Sequence, residues 1–511
     1  MHIASSFFGI FQPELYSGDI TVNTQVIQQP QHPLGLPKSD VPHPVVLNTP
    51  KPPPVTDLSV DFPETTIDAH APGWTLFHNL YMSNGTLYVV SSHPYSDFPD
   101  INLMTSTGLA AENTPENIAA RMPTSQELNF ITPEEARTRW GPISSQPRSK
   151  NRVWNVQGNT LLSNDPSQFL DHYYHFCAEL MLGAWAFWQG AHGAKVDPKR
   201  AELTTAPPFT RAIFAHADAD GWRDRPGFNS YFLRASFPSL TVEVQADWQD
   251  RVAATSAVGD YARTWHFDSV LLSDRSAAFR GVICGTQVHR TAGEAFHFMR
   301  NNGNLTRWWW EPVRRAVLRF ASVDQRVLEV GVRAQIEAEK AKIDGLAGSR
   351  SQRQDVVVTY IDRQGVRRHL IDEDHERLVA ALHQMCAIKG WELNVVQAEK
   401  LTKEQQLNLA ARTTQVLLGV HGNGLTHLIM MSPTPISTVI EMFFPGGFAH
   451  DYEWTARALG HKHFAVWNDT YHTYPNLPHV DYPEGFQGTE IPVHAENVIN
   501  IIESRVAGSL S

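Results

Sequence analysis

Cysteine is scarce in this chain: Cys177, Cys284 and Cys386 are all there is in 511 residues. Three scattered thiols exclude a disulfide framework and a zinc cluster, and a single bridge stays open without being required. Long hydrophobic runs are missing too. The longest, Cys177–Trp188, is broken by Glu179 and is too short to cross a bilayer, so no membrane span is expected within this chain. The apolar patch at residues 1–11 lacks the basic flank of a signal peptide. Positive charge is in deficit, and a net charge of −11 argues against nucleic acid or an anionic membrane surface as the main partner. No internal repeat is visible. No pair of residues has HExxH or His₂-carboxylate spacing, so no metal ligand is predicted, and a need for a divalent ion stays open.

The length implies two or three domains. Residues 28–57 are rich in proline and poor in apolar side chains, so they should be extended and unable to pack. Residues 1–64 are therefore read as a disordered stalk. A stalk of this kind suits an enzyme of the Golgi or endoplasmic reticulum lumen if an anchor precedes this chain; otherwise the protein is read as soluble. The sequons at Asn84, Asn304 and Asn468 are near the number chance supplies. Residues 65–345 form the first expected globular region. Gly73–Val90 is β-rich around an Asn84-Gly85 hairpin turn. Ala212–His216 and Ser269–Leu272 read as short buried strands, and Asp171–Gln189 as a long apolar helix. Glu329–Ile343 reads as a polar helix leading to the second region, residues 346–511.

That second region alternates strand and helix. Strands are expected at Asp355–Ile361, Trp391–Gln397, Thr413–Val420, Thr438–Phe444 and His463–Trp467. Helices are expected at Asp374–Ile388, at Thr402–Arg412 with Thr402 as cap, at Leu425–Met431, and at Asp451–Leu459 ahead of Gly460. The pattern is α/β, a parallel doubly wound sheet, whose ligands sit at the carboxyl ends of the strands. The most informative stretch is Val416–Asn423, VLLGVHGN, continuing as GLTHLIMM. An apolar strand runs into a glycine-rich turn and then a helix start. Gly422 and Gly424 let the backbone bend and approach a ligand, and the helix N–H groups point at a phosphate-sized anion.

Three polar groups fall at strand ends: Arg363, His421 and Glu441. An arginine there offers a planar, permanently charged fork to phosphate, or else pairs on the surface with Asp372 or Glu373. His421 either meets the ligand or satisfies a backbone carbonyl. Thr426 has a hydroxyl for the same anion, and Glu441 either accepts ribose hydroxyls or is a solvated strand end. Trp308–Trp310 reads as packing rather than sugar stacking, since three consecutive rings cannot face one ligand.

Three segments in this order resemble glycosyltransferase family 61, and within it the enzymes that add O-linked N-acetylglucosamine to extracellular domains. They are DHYYHFCAEL from Asp171, IDRQGVRRHLIDEDHERL from Ile361, and HGNGLTHLIMMSPTPISTVIEMFF from His421, where Asn423 replaces the family's alanine. The resemblance implies a GT-B architecture, two Rossmann-like lobes facing a cleft, and a UDP-sugar donor with a protein or polysaccharide acceptor. It implies an inverting mechanism with no other cofactor. The donor loop would be His421, Gly422, Asn423, Gly424, Leu425 and Thr426, with Arg363, Arg368 and Glu441. The family's spacing favours Arg368 over Arg367 as the inward arginine. His175 and Glu179, four apart on one helix face, are the candidates for the base, or else core residues; Asp171 is read as a helix cap. Val493–Val506 would be a terminal helix packed back on the first lobe. Two other readings are a non-catalytic carbohydrate-binding protein and a hydrolase or metalloenzyme built on His421, His427, Glu441 and His450.

Overall fold

The computed structural model describes residues 57–510 apart from 147, 194–195, 198–201, 204–205, 303–304, 306–307, 332, 335–355 and 414. Nearly all of the proline-rich segment, and most of the polar helix expected at Glu329–Ile343, lie outside the described residues. Packing begins before residue 65: Phe62 is buried beside Tyr81 and Trp140.

The first sheet contains β1 Thr66–Ala71, β2 Trp74–Ser83, β3 Thr86–Val90, β4 Leu128–Ile131, β5 Val153–Pro166, β8 Arg211–His216, β9 Thr241–Glu243 and β10 Thr264–Ser273. The short strands β6 Val196–Asp197 and β7 Glu202–Leu203 pair separately. The order is β4-β3-β2-β10-β5-β8-β9, with β1 beside β2. This sheet is mixed rather than Rossmann-like throughout. The stretch β10-β5-β8-β9 is parallel, while β2 runs antiparallel to β1, β3 and β10. Local sequence explains the difference. Asn84 and Gly85 take φ values of 50° and 83°, the mirror-image turn that fits a two-residue hairpin and forces β3 to run back along β2.

The second sheet follows the alternating pattern. Its strands are β11 Val357–Ile361, β12 Glu392–Val396, β13 Val416–Val420, β14 Thr438–Met442, β15 Lys462–Trp467 and β16 Thr470–His472, in the order β12-β11-β13-β14-β15-β16. The first five are parallel and β16 is antiparallel. Every residue of β11, β13 and β14 is buried, as expected of a parallel sheet covered on both faces. Helices Asp372–Lys389, Lys403–Arg412 and Asp451–Leu459 connect them; Thr402 caps the second through a capping box with Gln405, and Gly460 ends the third in a left-handed conformation.

The two sheets share one core. Leu161, Phe214 and Leu271 of the first belong to the same buried cluster as Leu417, Leu425 and Val439 of the second. Trp309 and Trp310 stitch it: their indole N–H groups donate to the carbonyls of Ala458 and Ile429 at 3.1 and 2.9 Å. All three tryptophans, Trp308–Trp310, are buried packing residues.

Two expectations need correction. The terminal helix, Ala495–Ala507, packs within the second sheet region, not on the first: Val498, Ile501 and Ile502 lie against Leu378 and Leu382, and Arg505 donates to Thr438. The face it buries complements the helix Asp372–Lys389, whose apolar stripe otherwise faces water. The long helix expected at Asp171–Gln189 is present as one unbroken run over residues 173–191, wound as a π-helix at Tyr174–Met181 and as an α-helix at Leu182–Ala191. Asp171, expected as its cap, instead ends a separate short helix, Ser167–Leu170, and does not cap the long run that follows.

Candidate functional site

The glycine-rich turn leaves β13 at Val420. His421 N–H donates to Met442 O at 3.0 Å, and Leu425 N–H closes back on Gly422 O at 2.9 Å. The segment Asn423–Met430 is a 3₁₀-helix rather than an α-helix. Leu425 anchors it in the shared core, and Thr426 is wholly buried, its hydroxyl donating to Asn423 Oδ1 at 3.1 Å. The two glycines serve different ends. Gly422 has φ 148°, and a Cβ there would overlap the Arg363 guanidinium; a Cβ on Gly424 would instead press on Ile361 Cγ2 at 2.9 Å. Gly424 thus lets the turn pack on β11, whereas Gly422 lets the turn pass Arg363.

Arg363 follows β11 at its carboxyl end. Its Nε donates to Arg368 O at a long 3.4 Å, and among the described residues it makes no ion pair. Asp372 instead accepts from Gln364 at 3.0 Å. Arg368 is turned inward, with Nε and Nη1 buried and without a hydrogen-bond partner. Arg367 is exposed and donates to Gln487 at 2.7 Å. Burial lowers the pKa of both inward arginines, and the neighbouring charge of Arg363 helps bring Arg368 down to about 10. Two cations held together, largely out of water and without a carboxylate, form a site that favours an anion.

Behind the turn, His421 Nδ1 bonds Glu441 Oε1, and His463 Nε2 bonds Glu441 Oε2 at 2.8 Å. Glu441 is fully buried, and each of its oxygens meets an imidazole, so it braces His421 and is not a solvated strand end. Burial pushes its carboxyl well above the usual range and pushes His421 well below its own, the latter aided by Arg368 and Arg363. The pair is therefore held net neutral, with Nε2 of His421 left for a ligand. Phe443 and Phe486 flank the ring at centroid distances of 5.1 and 5.3 Å.

From the first sheet region, the π-helix presents His175 and Glu179. The His175 Nδ1 bonds Glu179 Oε2. Glu179 is fully buried, while the His175 side chain keeps 24% of its exposure. Burial by itself would raise the Glu179 carboxyl; Arg275, at 2.7 Å, outweighs it together with His175 and Arg290 and holds the group well below the carboxylate range. A carboxylate so tied makes a poor proton acceptor and a good orienter. His172, whose ring lies 5.0 Å from that of His175, is lowered to about 3, chiefly by burial, with its Nδ1 unpartnered.

Two links join these halves. Arg290 donates to Asp451 Oδ2 at 2.7 Å and lies 3.7 Å from Glu179 Oε1. Tyr174 donates to Asp451 O at 2.6 Å, and its ring packs on Tyr452, which in turn packs on His421. Arg363, Arg368, His421 and Glu441 are thus gathered with His175 and Glu179. The sequence reading missed His172, Arg275, Arg290, Asp451 and Tyr452. A charge inside an otherwise apolar stretch, such as Asp274-Arg275 after β10, was the one available signal.

The set His421, His427, Glu441 and His450 is not gathered. His427 bonds Gln406 at 2.8 Å and His450 bonds Glu453 at 3.0 Å. Among the described residues no three His, Cys, Asp or Glu side chains are placed to hold a metal ion, and no helix is long and apolar enough to cross a membrane.

Residues 173–440 match the family model described as Glycosyltransferase 61. That span begins one residue before the π-helix and ends one residue before Glu441, so it contains the second motif whole and most of the first and third. No curated protein matches the chain.

Proposed function

The chain belongs to glycosyltransferase family 61, and on that premise we propose that it moves a sugar from UDP to a hydroxyl of a protein or glycan by one inverting displacement. N-acetylglucosamine and xylose are the first donor sugars to test. The proposed architecture is GT-B, with the donor on the second sheet and the acceptor on the first, and the proposed location is the lumen of the secretory pathway.

The observation that carries this reading is the pair Arg363 and Arg368, unpaired and largely buried beside the glycine-rich turn. Such forks match a diphosphate and stabilise it most as it leaves. The N–H groups opening the 3₁₀-helix at Asn423 and Gly424 add dipoles to the same anion. His421, held in one orientation by Glu441, offers Nε2 to the phosphate or the sugar. His175 is the proposed base: Nδ1 is fixed by Glu179, Nε2 takes the acceptor hydroxyl's proton, and the carboxylate stabilises the imidazolium that forms. The hydroxyl oxygen attacks the anomeric carbon as the bond to the diphosphate breaks on the opposite face.

A thermal-shift panel of UDP-sugars, with and without EDTA, tests class, donor and metal dependence together. UDP should raise the melting temperature by mass action. A melting curve unmoved by saturating UDP and shifted by other nucleotides would overturn the donor assignment.

A further inference from the structure

A cavity of about 190 Å³ lies on the first sheet's far face, away from the core shared with the second sheet. Its floor is aliphatic, built from Leu162, Ala215 and Leu272 at the ends of β5, β8 and β10, and its walls include Trp248, Asn164 and His216. No arginine or lysine lines it, so its chemistry is unlike the arginine site's and does not select an anion.

Hydrogen bonds fix the polar wall. Asn164 Nδ2 donates to Ser106 O at 2.9 Å and to Asp274 Oδ2 at 2.7 Å. Its Oδ1 is therefore the atom that faces His216 Nε2 at 2.8 Å, and it can only accept. His216 consequently carries its proton on Nε2, and Nδ1 is left as a lone-pair acceptor. Burial lowers the pKa of this imidazole against the opposing charge of Asp274, which keeps the neutral form. An acceptor nitrogen beside an aliphatic floor and an indole calls for a ligand with apolar faces and hydroxyl edges. The volume is above the roughly 150 Å³ that holds a benzene and below the roughly 300 Å³ where drug-sized pockets begin.

We propose that this cavity binds one neutral pyranose ring, at a carbohydrate site separate from the arginine site. The two sites share a wall. At the end of β5, Asn164 lines the cavity, while the next residue, Asp165, accepts from Arg275 N–H at 2.7 Å on the side of the His175–Glu179 pair. Asp274 bonds Asn164, and its neighbour Arg275 bonds Glu179. A glycan held here stands against the strand ends that position His175, so the site is placed to retain an acceptor glycan beside the chemistry.

Saturation-transfer NMR on the whole chain tests this with methyl β-glucopyranoside, methyl β-xylopyranoside and methyl N-acetyl-β-glucosaminide. Ring-proton signals should appear for at least one probe and persist under saturating UDP. They should vanish in Ala215→Leu, which fills the floor, and in Gln126→Trp, a substitution at an exposed rim position that spares the core. The proposal is overturned if none of the three gives a signal, if UDP displaces it, or if it survives Gln126→Trp in a folded protein. Because the readout needs neither donor nor turnover, its failure is distinct from failure of the glycosyltransferase reading.

Discussion

A Cβ placed on Gly422 would lie 2.0 Å from Nη1 of Arg363. The two residues come from separate strands, and each fixes the other: the guanidinium occupies the space that only glycine leaves open. Gly422→Ala should displace Arg363 as well as strain a backbone at φ 148°, a cost of about 1–3 kcal/mol. UDP affinity should fall further than in Gly424→Ala, where the obstacle is a methyl group of Ile361. Calorimetric titration of both variants with UDP compares them, and equal affinities would separate the turn from the arginine.

Removing an unpaired buried cation should relieve the unliganded protein. Arg368→Gln is expected to keep or raise the melting temperature while abolishing the shift caused by UDP, the exchange of stability for function seen at strained sites. Arg363→Lys keeps the charge and loses the fork, so transfer should drop by roughly 10²-fold or more with the fold intact. Thermal melts beside turnover measure both, and wild-type turnover in the lysine variant would remove Arg363 from the mechanism.

His175 and Glu179 should fail in different ways. His175 is partly exposed, and its alanine variant should fold, bind UDP and lose roughly 10²–10⁴ in rate. Glu179→Gln leaves Arg275 and Arg290 short of a buried counter-charge and should destabilise by about 3–5 kcal/mol. Urea denaturation and initial rates distinguish the two; a His175→Ala enzyme with full turnover would exclude it as the base.

Acid titration carries two opposite signs. The folded pKa of Glu179 lies well below its ordinary 4.5, so its stabilisation is complete above that value and is lost as pH falls. Asp165 is raised by burial to about 6 from 3.8, so its contribution is complete below 3.8 and is lost as pH rises through 6. Asp165→Asn should therefore remove a decline in stability across that window. Denaturant midpoints measured at intervals between these pH values test it, and an unchanged slope would refute the assignment.

The product should be the β anomer when an α-linked UDP-sugar is the donor. Coupling constants of the anomeric proton in the isolated product decide this. An α-linked product would rule out a single displacement.

The second sheet was largely legible in the sequence because its signals are local. β11, β13 and β14 are short, largely apolar runs, and Thr402 and Gly460 mark helix ends by their own chemistry. The strand-end residues Arg363, His421 and Glu441 followed from those boundaries. The role of Glu441 did not, since its two histidine partners arrive from the ends and starts of neighbouring strands. Arg275, Arg290 and Asp451 were hidden for the same reason: each is defined by a partner far away in the chain. The π-helix was hidden because an apolar run of this kind fits an α-helix equally well. Of the mixed first sheet, the hairpin around Asn84-Gly85 and the short apolar strands at Ala212–His216 and Ser269–Leu272 were legible, but β1, β4, β5 and β9, and the strand order, were not.

The shared core has a practical bearing on how variants of this protein are interpreted. Because Leu271 and Leu417 sit in one dry cluster stitched by Trp309 and Trp310, the two sheets should melt in a single cooperative transition, not as independent halves. A cavity opened under β10 then lowers the population of the intact arginine site, although that site lies on the other sheet. Loss of activity in a substituted protein is uninformative about chemistry until the folded fraction has been measured.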